Sequence, residues 1–262
     1  SGAGKSTLAA CLSGAVPHHY TGTFFGSVMV DGHDTCEVSL TDVSQIVGSV
    51  LQDIDTQMVA SVVEDEMFFG LENFGVPHDQ IEQCVSETLE TVGISDLRDR
   101  EIATLSGGQK QKVAIAAILA MRPRVLVLDE PTAALDPASS TLVFETLREA
   151  NRALGITIVV VEQKVALLSE YCNRVLVLNH GEIALQGEPH EVFAHTDELR
   201  AIGVDCPRVT RIFNSLEADG LVSGTPCLDV DEAERLISGI VDPARAASEA
   251  QAPAGSPHAP SL

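Results

Sequence analysis

Two short aliphatic runs, at residues 125–128 and 157–161, constrain the fold of this chain more than any other feature of its sequence. Neither run alternates between apolar and polar residues, and continuous runs of this kind are typical of strands that are buried on both faces of a parallel sheet. Residues 141–154, which lie between the two runs, have a helical pattern. The order strand, helix, strand predicts an α/β domain built on a mostly parallel sheet.

Other elements are predicted around this unit. Residues 24–30 have the pattern of a strand that ends in a turn, and residues 44–51 that of a second strand. Residues 62–104 are predicted to be a helical subdomain, because apolar residues recur at three- and four-residue steps between positions 81 and 92.

The character of the sequence changes past residue 203. Residues 204–241 are predicted to form a small helical extension, in which Asp231 caps a short helix. Residues 242–262 are rich in Ala, Pro and Ser and almost free of large apolar side chains, which predicts disorder. The expected organisation is therefore a main domain over residues 1–203, the extension and a disordered tail.

Composition argues against some classes of function. The chain has 38 acidic and 16 basic residues and a net charge of −22, whereas nucleic-acid binding needs clustered Lys and Arg. Six cysteines are scattered without a CxxC pair, which indicates a reducing cytoplasm. The longest apolar run, 113–121, is far short of the ~20 residues that span a bilayer. Any role at a membrane is therefore predicted to depend on a partner.

The segment SGAGKST, residues 1–7, has the composition of a phosphate-binding loop. Its glycines allow backbone N–H groups to turn inward around phosphates, and the helix that follows points its positive end at them. Lys5 is expected to reach the β- and γ-phosphates of a nucleotide, and the Ser6 hydroxyl to bind Mg²⁺. The candidate nucleotide-binding residues of this segment are Ser1, Gly2, Ala3, Gly4, Lys5, Ser6 and Thr7.

This loop lacks its first part. The full motif has another glycine two positions upstream of Ser1 and a strand that leads into the loop, and the sequence contains neither. We therefore expect the chain to begin inside its own active site, with the N-terminal strand or strands of the fold missing.

Two further motifs follow along the chain. Residues 105–109, with the sequence LSGGQ, are expected to be a loop ahead of a helix that begins at Lys110. The stretch VLVLDEPTAALD, residues 125–136, combines an apolar strand with Asp129 and Glu130 at its end. Asp129 is expected to hold Mg²⁺ through water, and Glu130 to polarise the water that attacks the phosphate.

These motifs and their order resemble the ABC ATPases, from Ser1 to about residue 187. The resemblance implies a P-loop NTPase cassette with a helical signature subdomain, and a head-to-tail dimer that sandwiches each ATP between the phosphate loop of one subunit and the LSGGQ segment of the other. Gln52 is then the residue that senses Mg²⁺ and the membrane partner, and residues 134–136 are the loop that crosses the dimer interface. The resemblance adds Ser106, Gly107, Gly108, Gln109 and Asp136 as nucleotide-binding candidates, and makes Ser6, Gln52 and Asp129 the metal ligands.

A more specific resemblance, carried by residues 51–75, by the motif region and by residues 187–193, is to the energy-coupling-factor ATPases. It implies a peripheral subunit on the cytoplasmic face of the cell membrane that powers uptake of vitamins or of cobalt or nickel ions. The implied partners are a second ATPase subunit, identical or different, and an integral membrane coupling protein. The acidic stretch 53–66 is a candidate contact for a basic coupling helix. The helices after residue 203 match a C-terminal extension that is often a dimer contact, or else they cover the edge of the sheet.

One position departs from the family pattern. After the strand at 157–161 the family has a histidine that contacts the γ-phosphate, and this chain has Gln163. Glutamine donates a hydrogen bond but carries no positive charge at neutral pH, and loss of a positioned group of this kind typically reduces the rate by on the order of 10²–10³. Either this chain is the catalytically weak, regulatory half of an asymmetric pair, or Gln163 is tolerated because Glu130 remains. An ABC protein of translation or DNA repair would need inserted arms and basic surfaces, which this sequence lacks.

Overall fold

The computed structural model describes residues 2–20 and 22–241. No helix in these ranges is both long and apolar enough to cross a membrane. The described chain folds into two compact units: residues 2–164 with 178–182, and residues 165–177 with 183–241.

The first unit combines short strands with longer helices. Its strands are β1 (Met29–Val30), β2 (His33–Asp34), β3 (Val47–Val50), β4 (Val125–Asp129) and β5 (Thr157–Val161). Its helices are α1 (Lys5–Leu12), α2 (Ala15–His18), α3 (Leu40–Ile46), α4 (Val63–Asn73), α5 (His78–Val92), α6 (Gly107–Ala120) and α7 (Pro137–Leu154).

The central feature of this unit is a parallel sheet with the strand order β3-β4-β5. Val50 pairs with Leu128, and Asp129 pairs with Val161, so the three strands end at the same edge. Helix α7 connects β4 to β5. The predicted strand–helix–strand order and the α/β class with a parallel sheet are confirmed, and the carboxyl-terminal edge becomes the place where loop residues converge.

The core explains why the first four residues of β4 are all apolar. Leu126 and Leu128 are buried in a large cluster with α4, α5, α6 and α7, whereas Val127 is buried on the opposite face with Ala9 of α1 and Val43 of α3. A strand that is covered on both faces loses the alternation of a half-buried strand. Each large aliphatic side chain buried in this way contributes roughly 1.5–3 kcal/mol.

Helix α5 bears out the helical pattern that its sequence predicts. Ile81, Val85, Leu89 and Val92 are all buried, at 0–4% exposure, on the side that faces α6 and α7. The connection between α4 and α5 runs from Phe74 to Pro77 and contains Gly75 and Pro77, whereas Gly70 lies inside α4.

Two strand predictions in the first part of the chain need correction. Residues 44–46 belong to α3, whose start is fixed by the Ser39 hydroxyl accepting the Asp42 backbone N–H, so β3 begins only at Val47. Residues 24–28 are not in a strand, and only the two residues of β1 pair with β2. The Phe25 side chain is 88% exposed, so no packed face stabilises an extended strand there.

The second unit contains mostly short helices. They are α8 (Val165–Tyr171), α9 (Pro189–Ala194), α10 (Thr196–Ala201), α11 (Arg208–Ala218) and α12 (Val230–Val241). Strands β6 (Val175–Asn179) and β7 (Glu182–Gly187) form a two-stranded sheet, whose turn at 178–182 is counted with the first unit. The core of the second unit is built from Val175, Val177, Val192, Phe193, Leu199, Cys206 and Leu228.

Helix α12 begins earlier than its sequence predicts. The Asp229 carboxylate accepts the backbone N–H of Glu232 at 2.7 Å, so Asp229 caps the helix and Asp231 lies within its first turn. The division into a cassette over 1–203 and an extension over 204–241 remains a prediction, and the tail predicted over 242–262 lies outside the described residues.

Gly48 in β3 allows the sheet to approach α6 closely, and this gives a stability prediction. A Cβ at Gly48 would lie 2.3 Å from Cγ2 of Ile118 and 3.1 Å from Cγ of Pro123. We expect Gly48→Ala to lower the free energy of unfolding by about 1–3 kcal/mol in urea denaturation, because the core must shift to admit a methyl group. In an Ile118→Ala background the same substitution should cost less, and an equal cost in both backgrounds would contradict this packing.

Candidate functional site

Three side chains meet at the carboxyl-terminal edge of the parallel sheet. Gln52 follows β3, Glu130 follows β4 and Gln163 follows β5. Nε2 of Gln52 donates to Oε2 of Glu130 at 3.3 Å, and Nε2 of Gln163 donates to Oε1 at 2.5 Å. Each oxygen of this carboxylate therefore accepts one amide hydrogen bond, from opposite neighbouring strands.

The backbone fixes where the Glu130 carboxylate points. Glu130 has φ of 49°, a left-handed conformation that is uncommon outside glycine and is often found at functional sites. Its backbone N–H donates to the carbonyl of Val161 at 2.8 Å, and its carbonyl accepts the N–H of Ala133 at 3.1 Å. The residue is thus held between the end of β5 and the turn that follows β4.

Asp129, the last residue of β4, has an unusual environment. Its Oδ1 is buried and has no hydrogen-bond partner among the described residues. An unpaired buried carboxylate oxygen is unfavourable by ~1–3 kcal/mol or more, so this atom suits a cation or a hydrogen-bond donor that a ligand would bring.

The glycine-rich segment leads directly into α1. Gly2 and Gly4 have φ of 77° and 95°, and Gly4 is the N-cap of a helix that begins at Lys5, with no side chain capping it. The first-turn N–H groups are thereby left without intrahelical acceptors, which is the arrangement that binds anions. Lys5 makes no ion pair with any described residue. Ser6 and Thr7 lie in the first turn, and Ser1 lies outside the described residues.

A neighbour of this loop has no signature in the sequence. Gly181, in the turn between β6 and β7, donates its backbone N–H to the carbonyl of Ala3 at 3.1 Å. A Cβ on Gly4 would lie 3.5 Å from the Cα of Gly181. The contact supports the loop through backbone atoms alone, so no side-chain pattern in the sequence predicts it.

Leu105 and Ser106 of the LSGGQ segment precede a helix, as predicted, whereas Gly107 to Gln109 form its first turn. Ser106 is the N-cap of α6, its hydroxyl accepts the N–H of Gln109 at 3.3 Å, and the Gln109 side chain accepts the N–H of Ser106 at 2.9 Å. This reciprocal capping box starts the helix at Gly107, three residues before the predicted Lys110. The first-turn N–H groups of Gly107 and Gly108 consequently form a second helix N-terminus suited to an anion.

The two glycines of this segment are needed for close packing within the chain. A Cβ on Gly107 would lie 3.2 Å from Cδ2 of Leu135, and one on Gly108 would lie 3.1 Å from Cβ of Ser139. The start of α6 therefore rests on the segment that leads into α7, which includes the loop predicted to cross a dimer interface.

The Asp136 carboxylate caps α7. It accepts the backbone N–H of Ser139 at 3.0 Å and the Ser139 hydroxyl at 2.6 Å, and Pro137 occupies the first helical position. The hydroxyl bond and then the backbone bond hold the pKa of Asp136 below its ordinary value. Its role toward a nucleotide stays a prediction.

Most of the predicted site residues fall into three groups, and Asp129 and Asp136 lie outside them. Gln52, Glu130 and Gln163 are joined by hydrogen bonds, Ser106 and Gln109 form the capping box of α6, and the phosphate loop opens α1. No hydrogen bond between described residues joins the phosphate loop to the Glu130 group. Together these features are those of a nucleotide-binding P-loop protein with a carboxylate placed for phosphate chemistry.

The protein comparisons identify the family. The family model described as ABC transporter matches residues 1–133, and the chain belongs to this family of ATP-binding proteins. A putative ABC transporter ATP-binding protein of Pyrococcus horikoshii is 41% identical over 222 residues, which cover 85% of this chain and 78% of that protein.

Energy-coupling factor proteins are also among the relatives. The energy-coupling factor transporter ATP-binding protein EcfA1 of Symbiobacterium thermophilum is 43% identical over 234 residues, covering 88% of this chain and 79% of that protein. The solved structure of cbiO1 from Clostridium perfringens, described as part of the ABC transporter complex cbiONQ, has a TM-score of 0.69. It is 35% identical and covers 83% of this chain and 84% of that one. The predicted resemblance to energy-coupling-factor ATPases is confirmed.

The Asp136 cap generates a prediction about pH. Because the folded-state pKa is lowered, the cap stabilises the fold above the unfolded pKa of about 3.9 and loses this effect as pH falls through the folded value. Asp136→Ala should therefore lower the free energy of unfolding at neutral pH, with a deficit that shrinks as denaturation is measured at progressively more acidic pH.

The control for this experiment is Asp99→Ala. Asp99 is exposed, and no side-chain hydrogen bond of Asp99 is found in the described ranges. A deficit for Asp136→Ala that does not change with pH would mean that the carboxylate is not what caps α7.

Proposed function

We propose that this chain is the ATP-hydrolysing subunit of a membrane importer of the energy-coupling-factor kind, with Glu130 as the general base. The observation that carries the proposal is the carboxylate of Glu130 held by Gln52 and Gln163 at the edge of the sheet. The relatives named EcfA1 and the cbiO1 structure support the transport role.

The hydrogen bonds of Glu130 suit the activation of water. Two amide donors fix the plane of the carboxylate, and the remaining lone pairs of its oxygens can accept a proton from a water molecule. Because Glu130 directly follows Asp129, a water held near a metal-bound phosphate would lie within reach of this base. Positioned general bases contribute roughly 10²–10⁴-fold to a rate.

The residues at this site fit Mg²⁺. The unpaired, buried Oδ1 of Asp129 supplies a carboxylate oxygen, the preferred donor of this ion, and Ser6 supplies a hydroxyl in the first turn of α1. Gln52 can offer its amide oxygen, because its amide nitrogen is the atom that donates to Glu130. Held by these residues, Mg²⁺ would supply positive charge that offsets the negative charge developing on the phosphate.

The proposal includes a second ATPase subunit, identical or different, arranged head to tail. The N-terminus of α6, with Ser106, Gly107 and Gly108 and no acidic residue in its first turn, is suited to a phosphate presented by a partner's loop. Leu135, in the predicted interface loop 134–136, lies against Gly107 of this N-terminus. A partner that moved this loop would therefore also disturb the start of α6.

A membrane coupling protein is the other proposed partner, reached from the cytoplasmic face. The acidic stretch 53–66 is less available to it than its composition suggests. Asp55 pairs with Lys110, Glu64 pairs with Arg98, and Glu66 accepts the N–H groups of residues 59 and 60. The exposed apolar side chains of Val59 and Phe69, at 61% and 51%, therefore support an apolar contribution to the coupling contact.

A catalytically weak half of an asymmetric pair is the second candidate. It is favoured by the 2.5 Å bond through which Gln163 engages Oε1 of the base itself, in a position where the family has histidine. Glutamine cannot become positively charged there, so it cannot add charge stabilisation for a phosphate.

The deciding experiment measures ATP turnover of the full protein with Mg²⁺ for the natural sequence, Glu130→Gln and Gln163→His. If the chain is an ATPase in its own right, Glu130→Gln should reduce turnover by at least about 10²-fold, because the base loses its charge while keeping its shape. Glu149→Gln, a matched change on the exposed face of α7, should leave turnover unchanged.

The same experiment separates the two candidates. Turnover that is nearly absent in the natural protein and restored by Gln163→His would assign the weak, regulatory role. Turnover that survives in Glu130→Gln would contradict the proposed general base.

A further inference from the structure

Two charged side chains next to Gln163 are not among the groups proposed to bind ATP or to activate water. Glu162 is 8% exposed, and Lys164 is partly buried. Both point into the segment that joins β4 to α7, more than twenty residues away along the chain. Buried or half-buried charges are retained only where hydrogen bonds compensate for their loss of water.

Glu162 joins the end of β5 to the turn after β4. Its Oε2 accepts the hydroxyl of Thr132, a residue with no exposed surface, at 2.5 Å. Its Oε1 accepts the backbone N–H of Gln163 at 2.7 Å and that of Lys164 at 3.3 Å. One carboxylate therefore fixes the backbone that carries Gln163 and anchors it to Thr132.

Lys164 binds the same segment through its ammonium group. Its ammonium group donates to the carbonyl of Thr132 at 2.7 Å, the carbonyl of Leu135 at 3.0 Å and the hydroxyl of Ser140 at 2.7 Å. These three contacts use all three N–H donors of a lysine. Lys164 therefore has no donor left for a phosphate, which excludes it as a second nucleotide-binding lysine in this conformation.

The held segment connects several parts of the proposed site. Glu130 lies just before it, Leu135 lies against Gly107 at the start of α6, and Asp136 caps α7. A displacement of the segment would consequently move both Glu130 and the N-terminus of α6.

From these contacts we propose that Glu162 and Lys164 form a clamp, defined as the side chains that bind Thr132, Leu135 and Ser140, and that the clamp is a positioning device for catalysis. The clamp ties Gln163 to residues 132–136. It thereby keeps the distance and orientation between Glu130 and the predicted interface loop 134–136 constant. The catalytic part of this inference rests on the proposed function, and the structural part does not.

The first test replaces Lys164 with Met, which keeps the length of the side chain but removes its three donors. We expect kcat for ATP to fall by about ten-fold while KM changes by less than about two-fold, because the clamp orients groups for the reaction without touching the nucleotide. Lys164→Arg should recover part of kcat, since it keeps the charge but presents its donors in a planar fork. Arg152→Met, at the exposed end of α7, is the matched loss of a cation and should change neither constant.

The second test measures the hydrogen-exchange rates of backbone amides in the same variants, which report directly on whether the clamp holds the segment. The N–H groups of Ala133 and Leu135 donate to the carbonyls of Glu130 and Thr132. In Lys164→Met these two amides should exchange about ten-fold faster, while amides of α5 keep their natural rates. Glu162→Gln should also speed exchange at these two amides. It replaces Lys164→Met in the test if that variant does not fold.

The outcomes separate the clamp from the proposed function. Unchanged exchange at residues 133 and 135 in both variants would overturn the clamp, whatever the ATPase activity. Faster exchange at these amides with unchanged kcat in an active enzyme would show that the clamp does not position groups for catalysis. Absence of turnover in the natural protein would count against the proposed function alone, because the exchange measurement still decides whether the clamp exists.

Discussion

The position of the Glu130 carboxylate depends on three parallel strands that end at the same edge of a sheet. The register of β3, β4 and β5 brings the residues that follow them close together, and two amides then occupy one oxygen each of this carboxylate. Without the packing of β4 between two helical layers, no local sequence preference would hold these groups together. The chemistry of the site is thus a consequence of how the sheet is covered.

The turn after β4 extends this constraint to the rest of the site. Glu162 and Lys164 bind Thr132 and Leu135 of this turn, and Leu135 also lies against Gly107 of the LSGGQ segment. Two helix N-termini, those of α1 and α6, are both left without acidic residues in their first turns. In the proposed head-to-tail pairing, one of these N-termini would bind the phosphates of this chain's nucleotide and the other those of a partner's nucleotide.

Much of this architecture could be predicted from the sequence because it depends on local patterns. The aliphatic runs at 125–128 and 157–161 and the periodic residues of α5 match their elements closely, since burial on both faces or on one stripe leaves a direct mark on composition. The sequence predicts the start of α6 three residues too late, because the Ser106–Gln109 capping box lies inside a segment whose two glycines favour a loop. The clamp could not be foreseen, because its contacts join residues that are 24 to 32 positions apart and follow no periodicity.

The central claim is that Gln163 acts through Glu130, and the most direct measurement is the effect of Gln163→Ala on ATP turnover in two backgrounds, the natural protein and Glu130→Gln. If the amide orients the base, the substitution lowers turnover in the natural protein and has little further effect once the carboxylate is gone. An equal fold-change in both backgrounds would mean that Gln163 and Glu130 act independently, and would contradict the account.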